Sequence, residues 1–422
     1  MVIASLKNRY NSQSWLFRRK KLLLNNIMII ALFSECYTPI INGVVVSIRT
    51  LRSGLRAEGH RVYLFAPGKP RSDDDEDVFR LPVLPFPRHP YRFARPFPRL
   101  PFDFSDLNVD LIHCQHPFTV GRLGAELARH FDLPMVYTAH SLYDQMVRTA
   151  KSPLVRKMGQ PYARGYIRRF SKRADHVIAP SNYVLHALQN SGVSCPVSVI
   201  PTGVSPPCVT DDGRGRIRKL LRMEPEDPLL LYVGRLGPEK RVDLLIESVE
   251  ILNRENLPSP LNRFKLAIVG DGQYREKWQH LAERLGIRDR IYFAGMCPHE
   301  EIGDWYSSGD LFLMPAPAET QGLVLVEAMG LGLPSIAVME GGAGEAEIPD
   351  KTGILTAFDP APFAKSIINL LKNRPLRENM ALAAKLRAED YRPERMVQGV
   401  LKVYEEVMDS HPFYSMDRSL RG

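Results

Sequence analysis

No apolar run in the 422-residue chain approaches the roughly 20 residues that a membrane-spanning helix needs. The longest early candidate, Ile27 to Phe33, has the length of a strand. Cysteine is scarce: Cys36, Cys114, Cys195, Cys208 and Cys297 are odd in number, far apart, and contain no Cys-x-x-Cys pair. A disulfide framework does not fit that pattern, and reduced thiols in a cytosolic protein are expected. Zinc-finger spacing, an RNP-like aromatic motif and a heptad-linked basic region are all missing, so no nucleic-acid partner is expected. No metal-ligand set is found either. The nearest approach, His113-Cys114-Gln115-His116, lies at a strand end without an acidic neighbour and reads as packing. The chain shows no internal repeat.

What is present is globular in character, with 44% hydrophobic and 24% charged residues. The length points to two domains. The net charge of +9 is unevenly divided. Residues 1–205 carry 28 Lys and Arg against 14 Asp and Glu, and the remainder carries 28 against 33. A basic half beside a mildly acidic one suggests that the first meets an anionic surface. Residues 1–26 are basic and partly apolar, with charges just ahead of a very short apolar run and no small-residue cleavage site, which fits a signal peptide poorly. Two readings stay open for them: an extension upstream of a start at Met28, or a membrane-surface contact.

Short apolar runs alternate with helical patterns, which argues for a doubly wound α/β architecture. Strands are expected at Ile27–Phe33, Val62–Ala66, Leu111–His113, Met135–Thr138, Val177–Ala179 and Val197–Ile200. A second series is expected at Leu229–Val233, Phe264–Val269, Arg290–Ala294, Leu311–Met314, Ser335–Val338 and Gly353–Leu355. Between the series, Ser205–Glu226 is rich in turn residues and reads as a linker. The acidic run Asp73–Asp77 reads as a solvated loop, and the prolines of residues 79–104 forbid regular helix there.

The chemistry-bearing residues fall at the ends of these strands, where open α/β sheets bind ligands. Glu319 precedes a helix starting near Gly322, and Glu327 lies one turn inside it. The first N–H groups of such a helix have no helical partners and favour anions. Gly234-Arg235 and Lys240 follow the second domain's first strand and offer a planar fork and a point charge, a combination suited to a diphosphate. Gly270-Asp271-Gly272 and Gly341-Gly342-Ala-Gly-Glu345 are further loops. In the first domain, Asn42-Gly43 opens a helix after the first strand, and His140 follows the strand Met135–Thr138. Taken singly, each has a bland alternative: a helix cap, a surface ion pair, a tight turn, a packed histidine.

In combination and order, these landmarks resemble the retaining GT-B glycosyltransferases of family 4 over roughly residues 27–390. Glu319-Thr-Gln-Gly322, Pro201-Thr-Gly203 and His140-Ser-Leu-Tyr143-Asp144 look most like the diacylglycerol glucosyltransferases, monotopic membrane enzymes that use UDP-glucose. The resemblance implies two Rossmann-like domains facing across a cleft. The expected divisions are a basic extension (1–26), an acceptor-side domain (27–205), a linker (206–226), a nucleotide-sugar domain (227–392), and a C-terminal helix and tail (393–422) crossing back to the first domain.

The implied roles follow residue by residue. Arg235 and Lys240 hold the donor diphosphate, Glu327 the ribose and Glu319 the hexose. The backbone of Gly322, Leu323 and Val324 meets sugar and phosphate. Gly43 approaches the diphosphate, and His140 contacts the hexose near its anomeric carbon. No metal and no cofactor beyond the nucleotide-sugar are implied. Ala139, Asp144 and Arg241 depart from the usual pattern; the first two put the acceptor in question more than the donor chemistry.

The implied reaction moves glucose from UDP-glucose to a membrane lipid such as diacylglycerol. The alternative is a family 4 enzyme, for example a mannosyltransferase, with a soluble or polysaccharide acceptor. Between Asp144 and Asp175 there is no acidic residue, while Arg164, Arg168, Arg169, Lys172 and Arg173 are among nine basic ones interleaved with Tyr162, Tyr166 and Phe170. That composition suits an anionic membrane surface, and the expected location is cytoplasmic, peripheral on the inner face of the plasma membrane.

Overall fold

The computed structural model describes residues 27–40, 42–84, 94–95, 100–148 and 152–412. The basic extension and half of the Pro/Arg/Phe-rich stretch lie outside the described residues. The chain forms two compact units. One comprises the chain up to Thr138, Arg169–Ile178 and the part from Val400 onward; the other comprises Ala139–Arg168 and Ala179–Gly399.

In chain order the first elements are β1 (Ile29–Phe33), α1 (Gly43–Ala57), β2 (Arg61–Pro67), β3 (Val78–Leu81), β4 (Leu111–Cys114), α2 (Thr119–Phe131) and β5 (Met135–Thr138). They are followed by α3 (Tyr143–Arg148), α4 (Pro153–Ser171), β6 (His176–Ala179), α5 (Asn182–Asn190) and β7 (Val197–Val199). The strands form one sheet in the order β3-β2-β1-β4-β5-β6-β7. Pairing is parallel, with Ile30 beside Val62 on one side and Leu111 on the other. The four last residues of β1 are buried, as a strand covered on both faces requires.

The acidic run is a loop with Asp73, Asp75 and Glu76 exposed, as expected, but ion pairs pin it and shield Asp74 and Asp77. Asp75 pairs with Arg52 at 2.6 Å and Arg56 at 2.9 Å, Asp77 with Arg56 at 2.8 Å, and Asp74 with Arg80 at 2.6 Å. The arginines come from α1 and from β3, a strand that the sequence pattern did not show. Their fixed forks hold Asp74 and Asp77 inward, so that the Asp77 side chain is only 6% exposed.

The second series runs α6 (Gly213–Leu220), β8 (Leu229–Val233), α7 (Val242–Arg254), β9 (Lys265–Val269), α8 (Arg275–Arg284), β10 (Ile291–Gly295), α9 (Ile302–Ser308) and β11 (Leu311–Met314). It continues α10 (Leu323–Gly330), β12 (Ser335–Val338), β13 (Gly353–Thr356), α11 (Pro360–Lys372), α12 (Arg374–Ala388) and α13 (Pro393–Ser410). The sheet order is β10-β9-β8-β11-β12-β13, the same winding as the first. Alternate residues of β8 serve opposite faces. Leu230 and Tyr232 join a core with Val249 of α7, Trp278 of α8 and Phe363 of α11. Leu229, Leu231 and Val233 join a core with Ile217 of α6, Trp305 of α9 and Leu325 of α10. Two apolar faces thus account for helices on both sides.

Residues 206–226, expected to be a linker, carry α6 and pack onto this unit. Buried Asp304 accepts from the Thr210 N–H at 2.8 Å and pairs with Arg216 at 2.6 Å. Buried Arg218 pairs with Asp310 at 2.9 Å. Ion pairs to α9 and the start of β11 override the turn-rich composition of this stretch.

In the first unit, the C-terminal part of α13 reaches β4. The Tyr404 hydroxyl meets His113 Nδ1 at 2.6 Å, and Thr138 Oγ1 meets Nε2 at 2.7 Å. Burial pushes the His113 pKa down to about 3, so the ring is neutral and both nitrogens are engaged. Tyr404→Phe should cost about 1–2 kcal/mol of stability, read by chemical denaturation, because it leaves a buried ring nitrogen unpaired.

Candidate functional site

The winding reverses between β8 and β11: β9 and β10 lie to one side, β12 and β13 to the other. Ligands of open α/β sheets bind beyond the carboxyl ends of the strands at such a point. Here the loops after β8 and β11 carry the residues that the sequence singled out.

After β8 the chain turns at Gly234, whose N–H donates to Val269 O at 2.9 Å, and Leu236 N donates to Asp271 O at 2.9 Å. The Gly270-Asp271-Gly272 turn therefore backs the Arg235 loop. Gly270 has φ of 131°, and a Cβ there would stand 2.0 Å from Gly234 O, so only glycine fits. A short 3₁₀ turn, Pro238–Lys240, then presents Lys240. Its ammonium forms an ion pair with the Glu319 carboxylate, both side chains being largely shielded. Arg235 is not part of this pair; its side chain is 63% exposed and bonds Glu239 at 2.6 Å.

After β11, Pro315 and Pro317 keep the chain from continuing as strand, and Glu319 follows. Gly322 stands at the N-terminus of α10 with φ of 77°, and no side chain caps that end. Leu323 and Val324 open the helix, so their N–H groups belong to the end that favours negative charge. Glu327, one turn on, accepts from the Tyr306 hydroxyl at 2.8 Å. Burial and the nearby Glu327 charge push the Tyr306 phenol well above its ordinary value, so it stays a donor. Tyr306 carried no signal in the sequence, because it sits in the short helix α9 before β11. The arrangement thus joins a cation, two carboxylates and a helix N-terminus along one sheet edge.

The first sheet has its own reversal, between β1 and β4. Gly43 begins α1 there, and Asn42 caps that helix by accepting from Val45 N at 2.8 Å. Glu35, overlooked in the sequence although it directly follows β1, accepts from Val120 N at 2.5 Å at the start of α2. Glu35 N donates to His116 Nδ1 at 3.2 Å, and the His116 and Cys36 side chains lie 3.8 Å apart. His140 is buried just beyond β5.

Helix α4 carries the basic cluster. Lys157, Arg164 and Arg168 line an open cavity of about 590 Å³ together with Pro161, Gly165 and Asn190. Arg164 pairs with Asp144 at 3.0 Å and Arg173 with Glu126 at 2.9 Å. Among the described residues Lys157, Arg168, Arg169 and Lys172 have no acidic partner. Leu154, Met158 and Tyr162 repeat every four residues on the same helix and are 64–67% exposed. Among the described residues no helix is long and apolar enough to cross a membrane.

Two Rossmann-like sheets of one winding, with charged groups gathered at the reversal of the second, have the architecture of a GT-B glycosyltransferase. Residues 41–206 match the profile of Glycosyltransferase Family 4, and residues 214–387 that of Glycosyl transferases group 1. The chain belongs to this glycosyltransferase family. The alpha-monoglucosyldiacylglycerol synthase of Streptococcus pneumoniae is 32% identical over 321 residues, 74% of this chain and 71% of its own. The synthase of the same name from Acholeplasma laidlawii is 26% identical over 398 residues, 91% of this chain and 98% of its own. Among solved structures, Anabaena HepE in complex with UDP superposes with a TM-score of 0.69 at 19% identity, covering 90% of this chain and all of that one.

Burial raises the Glu35 pKa from 4.5 to about 7 despite the backbone N–H groups it accepts from. Between those values the folded protein holds a proton that the unfolded chain has released, so this group's contribution falls as the pH rises. Denaturant titrations from about pH 5 to about pH 8 should show the unsubstituted protein losing stability relative to Glu35→Gln. Parallel pH profiles for the two proteins would contradict the assignment.

Proposed function

We propose that this glycosyltransferase moves glucose from UDP-glucose to a membrane lipid such as diacylglycerol, with retention of anomeric configuration and without a metal ion. The observation that carries the reading is the Lys240–Glu319 ion pair beside the N-terminus of α10. As the donor bond breaks, negative charge grows on the departing phosphate. A fixed cation and a helix N-terminus stabilise that charge without reorganising. Glu319 accepts from the hexose hydroxyls, and in turn fixes Lys240 while the site waits for donor. Arg235 swings from Glu239 to the diphosphate. Glu327, held by Tyr306, accepts from the ribose diol. The backbone of Gly322, Leu323 and Val324 meets sugar and phosphate. The resemblance assigns Gly43 to the diphosphate and His140 to the hexose near its anomeric carbon. The departing phosphate helps take the acceptor proton.

Support for the donor comes from the UDP complex of HepE, and support for the acceptor from the names of the two synthases. Support for a membrane acceptor comes from α4, whose exposed apolar row and cations without acidic partners suit an anionic interface. The protein then works at the cytoplasmic face of the plasma membrane.

The test offers UDP-glucose and GDP-mannose separately to the protein on anionic liposomes containing diacylglycerol, with EDTA throughout. Release of UDP with formation of an α-linked glucolipid is expected. Glu319→Gln and Lys240→Ala should each lower turnover roughly 100-fold or more. If neither donor gives a glycolipid, the lipid acceptor is overturned and soluble acceptors take its place. Reversing charge at Lys157 and Arg168 to Glu should weaken sedimentation with anionic vesicles roughly tenfold or more, at about 1 kcal/mol for each basic residue near the surface. Unchanged sedimentation would remove α4 from the interface.

A further inference from the structure

The loop that bears Glu319 is gripped from three sides by groups far away in the chain. Gln321 is buried, and its side-chain amide reads the Thr202 peptide in both directions. Gln321 Oε1 accepts from Thr202 N at 2.8 Å, and Gln321 Nε2 donates to Thr202 O at 3.0 Å. The Ser181 hydroxyl donates to Thr320 O at 2.5 Å. Gly342 N donates to Glu319 O at 2.7 Å. A Cβ on Gly342 would come within 2.1 Å of Thr320 O and 2.8 Å of Ser181 Oγ, so the glycine permits the close approach. The loop of Gly342 is itself anchored through Glu345. That carboxylate accepts from Asn182 N at 2.7 Å, from the Asn182 side-chain amide at 3.1 Å and from Tyr183 N, at the start of α5.

We infer that Gln321 is a positioning residue for sugar transfer, holding the Glu319 carboxylate in place by clamping its loop to the Thr202 peptide. A glutamine amide suits that task because it carries a donor and an acceptor together, matching the backbone N–H and C=O of one residue, Thr202. An apolar side chain would fill the space without fixing the loop. Ser181 and Gly342 hold the carbonyls of Thr320 and Glu319, so the backbone at and just after the carboxylate-bearing residue is determined from outside the loop. A carboxylate that must meet hydroxyls at hydrogen-bond distance loses rate steeply with small displacements, of the order of 100-fold for 1 Å. The inference rests on Glu319 acting at the transferred sugar, but the state of the loop can be read without any substrate.

The experiment has two arms on the full chain, with Gln321→Leu and Gln321→Glu. In the first arm, backbone hydrogen exchange of the free protein should quicken in the peptide covering residues 316–323 of the Leu variant, while exchange in β8 and β9 stays as before. In the second arm, with UDP-glucose and diacylglycerol, kcat of the Leu variant should fall roughly 10- to 100-fold, while the KM for UDP-glucose shifts less than about threefold. The Glu variant places a carboxylate against Thr202 O when ionised and regains a donor when protonated. Its kcat relative to the parent should therefore recover as the pH falls from about 8 to about 6. Unaltered exchange in residues 316–323, or an unaltered kcat in the Leu variant, would overturn the positioning role. Should the parent itself show no turnover with these substrates, the proposed reaction fails, and the exchange arm still decides whether Gln321 fixes the loop.

Discussion

A strand such as Leu229–Val233, apolar on both faces, is stable only with helices on both sides of its sheet. That requirement keeps charged groups out of the strand's middle and leaves them to the strand ends and the outer faces of the helices. Because all paired strands of the second sheet run parallel, the carboxyl ends gather along one edge, and the reversal between β8 and β11 opens a place there that no crossover helix covers. Lys240 and Glu319 meet at that place from loops 79 residues apart. The site is a consequence of how the core is buried.

Electrostatics then divides the surviving charges into two kinds. Some are neutralised within the fold: Asp77 by Arg56 and Arg61, Arg218 by Asp310, Asp304 by Arg216. These tie down segments whose composition alone suggests loops, such as the acidic run and the stretch around α6. Others keep a partner that a ligand can replace. Lys240 and Glu319, largely shielded, still keep 22% and 18% of their side chains exposed, and Arg235 holds Glu239 across one exposed turn, where an ion pair contributes little. In the proposed reaction the donor diphosphate, which carries more charge than a single carboxylate, draws such cations to itself.

Much of the fold was legible in the sequence, and so was the position of several charged residues and glycines at the strand ends. Among the described residues, the apolar runs located twelve of the thirteen strands to within a residue or two, since a strand buried on both faces must be continuously apolar. The exception, Val78–Leu81, is a short edge strand containing Arg80, and its pattern does not stand out from the charged run before it. Glu319, Lys240, Gly270 and Gly322 could be named because glycines and charges at strand ends follow from local chain geometry. Tyr306, Glu35 and the partners of Gln321 could not. A tyrosine or a glutamine looks the same in a sequence whether it faces solvent or a peptide 119 residues away.

By itself, the sequence determined the alternation of strand and helix, its division into two series, and which residue types stand at each strand end, because those depend on burial and on contacts within a few residues. Only the tertiary structure decided which of these groups meet. Lys240 pairs with Glu319 while Arg235 turns to Glu239, Asp75 pairs with Arg52, and Gln321 closes on Thr202. Each of those choices rests on hydrogen-bond geometry at about 3 Å, which no spacing along the chain encodes.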